Sequence, residues 1–398
     1  MRIGMILDNT FPPDPRVENE AISLIKNGFE VCLFSLKYND EPDYEIINKI
    51  QVYRYVSSTL NYKLSALAYT VPFYTNIMSK KIAHFLEETN VDAIHIHDMR
   101  IAEAVFRANS KNLPTVLDLH DNMPEVMKFY PHLQKFPGKY IISPTKWKQK
   151  EELFIRKATK VITVSQEFID EVVQRVKIPS SKILLVPNTV RKSFYQKAVI
   201  EQEIVDRYRN DFVLLYLGDT GLRRGLQTAI AAIPKLKEII PNIKLVIVGT
   251  NTTDYVLKQQ VADLGIEEFV DFQGWQNVKL FPSYIIASNI CISPLIRNIQ
   301  HDVAYANKLF QYMSFSKPVL VSDAIAQKRL VERTKSGLIH KEKNPESFAE
   351  RVISMYEYPE LCKSFGKNGK YFIENEFCWE KTSEKLIDLY KSIEESNS

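Results

Sequence analysis

The stretch FVLLYLGDTGLRRG, residues 212–225, reads as a buried strand that runs directly into a glycine loop. Phe212–Leu217 is an unbroken apolar run ended by Gly218, the pattern of a strand covered on both faces. Gly218, Gly221 and Gly225 allow the backbone to turn tightly, and the spacing predicts a helix over Gly225–Leu236. Strand, tight loop and helix in that order is the unit from which parallel α/β sheets are built. Arg223 and Arg224 stand where the helix begins, beside open amides that favour an anion, and their forked donors suit a diphosphate. The loop does not contain the GxGxxG dinucleotide fingerprint.

The same grammar extends in both directions. Upstream, Ile3–Leu7 precedes an amphipathic segment, Val17–Asn27, which Gly28 ends, and Val31–Leu36 reads as the next strand. Further strands are predicted at Ala93–Ile96, Thr115–Leu119, Val161–Val164 and Ile183–Val186. Downstream they fall at Lys244–Val248, Val270–Phe272, Ile290–Ile292 and Pro318–Val321. The polar segment after Pro187 serves as a linker. The fold class is therefore α/β, with two Rossmann-like, doubly wound parallel-sheet domains. The expected boundaries are 1–190 for the first domain, 191–377 for the second, and 378–398 for a C-terminal helix returning to the first. Ligands in such sheets lie beyond the carboxyl ends of the strands, so two domains facing each other would line one cleft with their strand-to-helix loops.

Composition excludes several classes. A chain of 398 residues with 45% apolar and 25% charged residues is an ordinary multidomain globular protein. A net charge of +4 is small for this length and argues against a general nucleic-acid binder. Cys32, Cys291, Cys362 and Cys378 are scattered without metal or disulfide spacing, which suits a reducing compartment. The N-terminus does not read as a signal peptide, and no apolar run of about 18 residues occurs. The expected location is cytoplasmic, at the inner face of a membrane if the basic stretch described below meets lipid.

A second anion-binding candidate lies at Asn307-Lys308-Leu-Phe-Gln311. Asn307 is expected to cap a helix whose first turn carries Lys308, with Gln311 one turn deeper, within reach of ribose or sugar hydroxyls. His120 follows the strand Thr115–Leu119 and sits where a cleft residue belongs; histidine there can donate to a sugar hydroxyl without carrying full charge. His97 and Asp98 end another strand and are candidates for acceptor binding, while His95 reads equally well as packed between layers. Arg16, after the Pro12-Pro13-Asp14-Pro15 loop, is read as an acceptor-side anion contact. Between residues 128 and 160, nine basic residues (Lys128, Lys135, Lys139, Lys146, Lys148, Lys150, Arg156, Lys157, Lys160) oppose Glu151 and Glu152. They are interleaved with Phe129, Tyr130, Phe136, Tyr140 and Trp147, a composition that suits peripheral contact with an anionic membrane.

The motifs Asp14-Pro-Arg16-Val-Glu-Asn-Glu-Ala21, Asp118-Leu-His120-Asp121-Asn-Met-Pro124-Glu125, Val161-Ile-Thr-Val-Ser165 and Pro187-Asn188-Thr189 are followed in order by Arg224-Gly225-Leu226, Asn307-Lys308-Leu-Phe-Gln-Tyr-Met313 and Lys317-Pro318-Val319. This ordered set resembles the family 4 glycosyltransferases of the two-domain GT-B fold, in the branch that serves polysaccharide and glycoconjugate assembly. The resemblance implies a retaining transfer of sugar from a nucleotide-sugar donor to a glycan, lipid-linked or other acceptor. It implies that Arg224 and Lys308, with Arg223, Gly221 and Asn307, hold the donor diphosphate and that position 311 holds the ribose. His120, with Asp121 beside it, would orient or stabilise the transferred sugar. Base recognition falls to backbone around Gly274-Trp275. No metal or other cofactor is required, because the cations replace it and the leaving phosphate helps deprotonate the acceptor.

The chain departs from the family at two places. Gln311 stands where glutamate is usual, and Val303 stands where many relatives carry a second acidic residue, with Asp302 adjacent. Gln311 motivates an alternative, a non-catalytic nucleotide-sugar-binding scaffold. A sugar-nucleotide epimerase of the same fold is a third reading.

Overall fold

The computed structural model describes residues 1–130, 133, 136 and 138–397. The chain forms two compact units, Met1–Asn188 with Ser383–Ser398, and Thr189–Thr382. Among the described residues the first unit carries eight strands: β1 (Arg2–Leu7), β2 (Glu30–Lys37), β3 (Tyr44–Ile47), β4 (Ile50–Val56), β5 (Ala93–His97), β6 (Thr115–Leu119), β7 (Lys160–Thr163) and β8 (Ile183–Leu185). Their order is β3-β4-β2-β1-β5-β6-β7-β8. Every pairing is parallel except the β3–β4 hairpin at the edge. That hairpin is absent from the sequence reading. Its two-residue turn, Asn48-Lys49, has both φ angles positive without the Asn-Gly signature, and β3 is largely exposed.

The second unit carries β9 (Phe212–Leu217), β10 (Ile243–Val248), β11 (Val270–Gly274), β12 (Ile290–Ser293), β13 (Val319–Ser322) and β14 (Gly337–His340). All pairings are parallel, in the order β11-β10-β9-β12-β13-β14. Successive side chains of β9 bury on opposite faces, Leu215 and Leu217 with Tyr312 and Met313, Leu214 and Tyr216 with Ala229 and Ile233. That two-sided burial is why the strand reads as a continuous apolar run rather than an alternating one.

In each sheet the chain winds outward one way, then returns to the centre and winds the other way. The reversal falls between β1 and β5 in the first unit and between β9 and β12 in the second. At such a switch point the two adjacent loops diverge and leave a crevice beyond the strand ends. His97 and Asp98 lie at the first; Gly218 lies at the second. The last helix, Glu384–Asn397, belongs to the first unit, where Leu386, Leu389, Tyr390 and Ile393 are buried. Trp379 stays with the second unit, its amide donating to the Val190 carbonyl at 2.8 Å.

Candidate active site

In the second unit the loop after β9 is shaped by close backbone approach. Gly225 has φ +77°, and a Cβ there would lie 1.9 Å from the Pro294 carbonyl oxygen of the loop after β12. Only glycine fits both the angle and the gap. The helix that follows, Leu226–Ile239, begins without a side-chain cap, so its first amides are not covered by one. Asp219 already places an anion at this end of the sheet. Its carboxylate accepts from the Gly221 amide at 3.2 Å, from Asn251 Nδ2 at 2.6 Å and from Arg224 Nε at 3.1 Å. Although burial favours its neutral acid, Asn251 and Arg224 hold its pKa below the ordinary carboxylate value.

Lys308 approaches the same loop. It starts the helix Lys308–Ser314, and its Nζ lies 3.3 Å from the centroid of the Tyr216 ring, 3.6 Å from where a Cβ on Gly218 would sit. Burial, then repulsion from Arg224, pushes its pKa well below the usual lysine value. The expected cap is corrected: Asn307 makes no side-chain cap hydrogen bond and is exposed, its backbone already helical at φ −53°, ψ −31°. Lys308 therefore reaches back over β9 rather than lying along its own helix end. Gln311 is half-buried one turn further on. Gly274, with φ +64°, ends β11 and accepts from the Gly249 amide at 2.7 Å; Trp275 beside it is 74% exposed. Asp302 is bound by Arg297 through two contacts of 3.1 Å and by the Ile325 amide at 3.0 Å, and Val303 is buried.

In the first unit, His120 stands at the end of β6, half-buried, with Nε2 2.6 Å from Asp118 Oδ2. A carboxylate only accepts, so Nε2 carries the hydrogen and Nδ1 is turned away from Asp118. Burial disfavours the imidazolium, yet the Asp118 charge and hydrogen bond outweigh it and lift the His120 pKa to about 9. The sequence expectation of a histidine working without full charge is thereby corrected, because Asp118, two residues away on a buried strand, supplies the counter-charge. Asp121 is exposed beside it.

Arg16 is corrected as well. It is 4% exposed, and Nε and Nη2 meet the two Asp118 oxygens at 2.8 and 2.7 Å, with Nη1 on the Val186 carbonyl at 3.1 Å. Asp14 caps the helix Pro15–Lys26, and Arg16 and Glu20, four residues apart, both turn inward. A guanidinium held in this way is a buried counter-ion, not a contact for an acceptor anion. His97, 1% exposed, lies 3.6 Å from Asp118 Oδ2 and 3.4 Å from His120 Nε2, so it faces the cluster. Burial and the neighbouring His95 push its pKa down to about 4. Asp98 caps the helix Met99–Ala108 through the Met99 amide and holds φ +72°, ψ 156°, a conformation normally left to glycine. Glu20, His95, His97 and Asp118 bring four donor atoms within 4.8 Å of one another, a spacing a cation would accept. Arg16 sets its guanidinium against two of these four residues, at 3.0 Å from Glu20 and 2.7 Å from Asp118.

The chain matches two family models, "Glycosyltransferase Family 4" over residues 16–194 and "Glycosyl transferases group 1" over residues 200–372. The chain belongs to glycosyltransferase family 4. It is 24% identical over 183 residues to EpsD of Bacillus subtilis strain 168, named as a glycosyltransferase, and spans about half the length of that relative (46%). Among solved structures it resembles sucrose-phosphate synthase from Thermosynechococcus elongatus, with TM-score 0.81 and 17% identity over 99% of each chain. It also resembles HepE of Anabaena in complex with UDP, with TM-score 0.73 and 17% identity, covering 98% of this chain and 100% of that one. These likenesses establish the GT-B fold. Both family models are those of transferases, so the scaffold and epimerase readings gain no support.

Sequence reasoning missed several residues that the family's fold brings to these sites. Glu20, Asp118 and Tyr390 surround His120 and His95 in the first unit. In the second unit His301 is buried and donates Nδ1–H to the Ile296 carbonyl at 2.7 Å. Burial, with help from Arg224 and Arg223, pushes its pKa down to about 4. One signal was available: Asp118 is a charge inside an otherwise apolar strand, and such residues are almost never buried unpaired. The basic stretch is also less basic than its count. Lys128 and Lys148 pair with Glu125, and Lys150 pairs with Glu103, both outside the stretch. Trp147 is buried, whereas Phe136 and Tyr140 are exposed. Lys135 lies outside the described residues. Among the described residues, no helix is long and apolar enough to cross a membrane.

Proposed function

We propose that this chain transfers a sugar, with retention, from a nucleoside-diphosphate sugar to a glycan or lipid-linked acceptor, in cell-surface polysaccharide or glycoconjugate synthesis. The observation that carries the donor assignment is the Asp219 carboxylate seated on the Gly221 amide and Arg224, with Lys308 approaching the same loop. A site that already holds one carboxylate on an amide and a guanidinium has the donor chemistry for a phosphate. In this reading the diphosphate takes over Arg224 and Lys308, Gln311 meets the ribose, and backbone near Gly274 meets the base. The cations supply the positive charge that a metal would otherwise bring. His120 presents a charged Nδ1–H to the transferred sugar. HepE was solved with UDP and with UDP-glucose, which makes these the first probes.

The exposed Phe136 and Tyr140, beside Lys139 and Lys146, support peripheral contact of the first unit with an anionic lipid surface, at the inner face of a cytoplasmic membrane. The donor reading is tested by thermal shift with UDP, UDP-glucose and other nucleoside-diphosphate sugars. A ligand that binds only the folded form adds roughly 2.7 kcal/mol at a hundredfold excess over its Kd. A melting temperature unmoved by every nucleotide in the series would reject the reading.

A further inference from the structure

The cluster behind His120 contains one group supplied from the far end of the chain. A single oxygen, Asp118 Oδ2, is faced by Arg16 Nε at 2.8 Å, His120 Nε2 at 2.6 Å, His97 Nδ1 at 3.6 Å and His95 Nε2 at 3.7 Å. How these donors share it decides where the His120 ring sits. His95 is the member whose ring is held from outside. Its Nε2 lies 3.2 Å from Glu20 Oε2, and its Nδ1 lies 2.8 Å from the hydroxyl of Tyr390, on the C-terminal helix.

Hydrogen-bond chemistry gives that hydroxyl a role beyond packing. Glu20 and Asp118 are carboxylates and only accept, so His95 keeps a hydrogen on Nε2; burial opposes a charge on the ring, yet Asp118 and Glu20 outweigh it and raise the His95 pKa above the ordinary imidazole value. The Tyr390 hydroxyl meets Nδ1 in either protonation state, donating to the neutral ring and accepting from the imidazolium. Without it, the buried Nδ1 loses that partner in both states, and the ring loses the contact that fixes its orientation toward Glu20 and Asp118. His95 would then withdraw from Asp118, and the remaining donors would redistribute. Tyr390 is fully buried and its ring lies parallel to His95 with centroids 6.0 Å apart, so phenylalanine would preserve the packing and remove only the hydroxyl.

We propose that Tyr390 is a positioning residue for His120, acting through His95 and Asp118, so that the C-terminal helix completes the site in the first unit. The proposal rests on the reading of His120 as the group that meets the sugar. The charged and titratable groups around His120 are Asp118 from β6, His97 and Asp98 from the end of β5, Arg16 from the helix Pro15–Lys26, and Asp121 next in the chain.

The test uses the full chain with 15N-labelled histidine, following the ring nitrogens from pH 5 to 10. The wild type is expected to show His120 titrating near 9 and His95 keeping a hydrogen on Nε2. Tyr390→Phe is expected to shift the His95 ring-nitrogen signals and move the His120 midpoint by about half a pH unit, roughly a threefold change in proton affinity. Asp118→Asn moves that midpoint further and shows that the probe reports the cluster. A purely structural tyrosine would lower the melting temperature and leave both ring signals where they were, and that result overturns the proposal. Should Tyr390→Phe fail to fold, fluorotyrosine incorporation, which makes the phenol a stronger donor, must move the same two signals in the folded chain. UDP binding on the same samples separates the two ideas: wild type that ignores UDP removes the donor reading while leaving the histidine titration to stand or fall alone.

Discussion

Lys308 offers the sharpest quantitative test of the donor site. Burial and Arg224 hold its pKa well below that of a free lysine, so the unliganded protein resists placing a full charge there. A diphosphate bound at the loop after β9 reverses the balance. One negative charge at 4 Å contributes about 4 kcal/mol at an effective dielectric near 20. Binding should therefore draw a proton onto Lys308, and affinity should fall as pH rises. The assay is isothermal titration of UDP at pH 7, 8 and 9, each in two buffers of different ionisation enthalpy. The expected result is a buffer-dependent enthalpy that reports proton uptake. Lys308→Arg keeps a cation that does not lose its proton, so binding should persist while the uptake vanishes. Arg224→Ala removes a charge-assisted hydrogen bond of about 1.5–3 kcal/mol and should weaken UDP by roughly 10- to 150-fold. Buffer-independent enthalpies at every pH, or equal uptake in Lys308→Arg, would refute the assignment.

Asp219 occupies donors that the phosphate needs, so Asp219→Asn should tighten UDP binding by roughly 3- to 10-fold, in line with about 1 kcal/mol for an exposed charge pair; weaker binding by the same titration would show the carboxylate to be an organiser instead. Stability should depend on His120 in a stated direction. Its folded pKa, about 9, lies above the unfolded value, so its contribution is complete below about pH 6.5 and is lost as pH rises through 9. At roughly 3 kcal/mol, the wild type should lose more urea resistance between pH 7 and 10 than His120→Asn, and parallel curves would contradict the Asp118 pairing. For the surface patch, Phe136→Ser with Tyr140→Ser should reduce sedimentation with vesicles containing phosphatidylserine, whereas equal pelleting by wild type and variant would remove lipid from the proposal.

How far the sequence carried the reading depends on how local each cause was. The strands around both switch points were legible because a strand buried on both faces needs no partner to show its apolar run. Thr115–Leu119 and Phe212–Leu217 coincide with their predicted bounds. The β3–β4 hairpin was not legible, since an exposed edge strand has no such run. Gly225 and Arg224 were found from a loop signature spanning fourteen residues, and Lys308 from its place at a helix start. The charge on His120 was not found, although Asp118, which sets it, lies two positions away, because the burial of Asp118 on β6 between β5 and β7 is decided by distant segments.

The sequence by itself determined the class of each domain and the residue types gathered at their strand ends, because apolar periodicity, glycine turns and helix starts are short-range properties of the chain. Only the tertiary structure decided which charges face one another. It turned Arg16 from an acceptor-side anion contact into the counter-ion of Asp118, and it paired three of the stretch's nine basic residues with Glu125 and Glu103. It also brought Tyr390 to His95 across 295 positions. Electrostatic partners act through space and in proportion to how little water lies between them, and neither distance nor dehydration is written along a single chain.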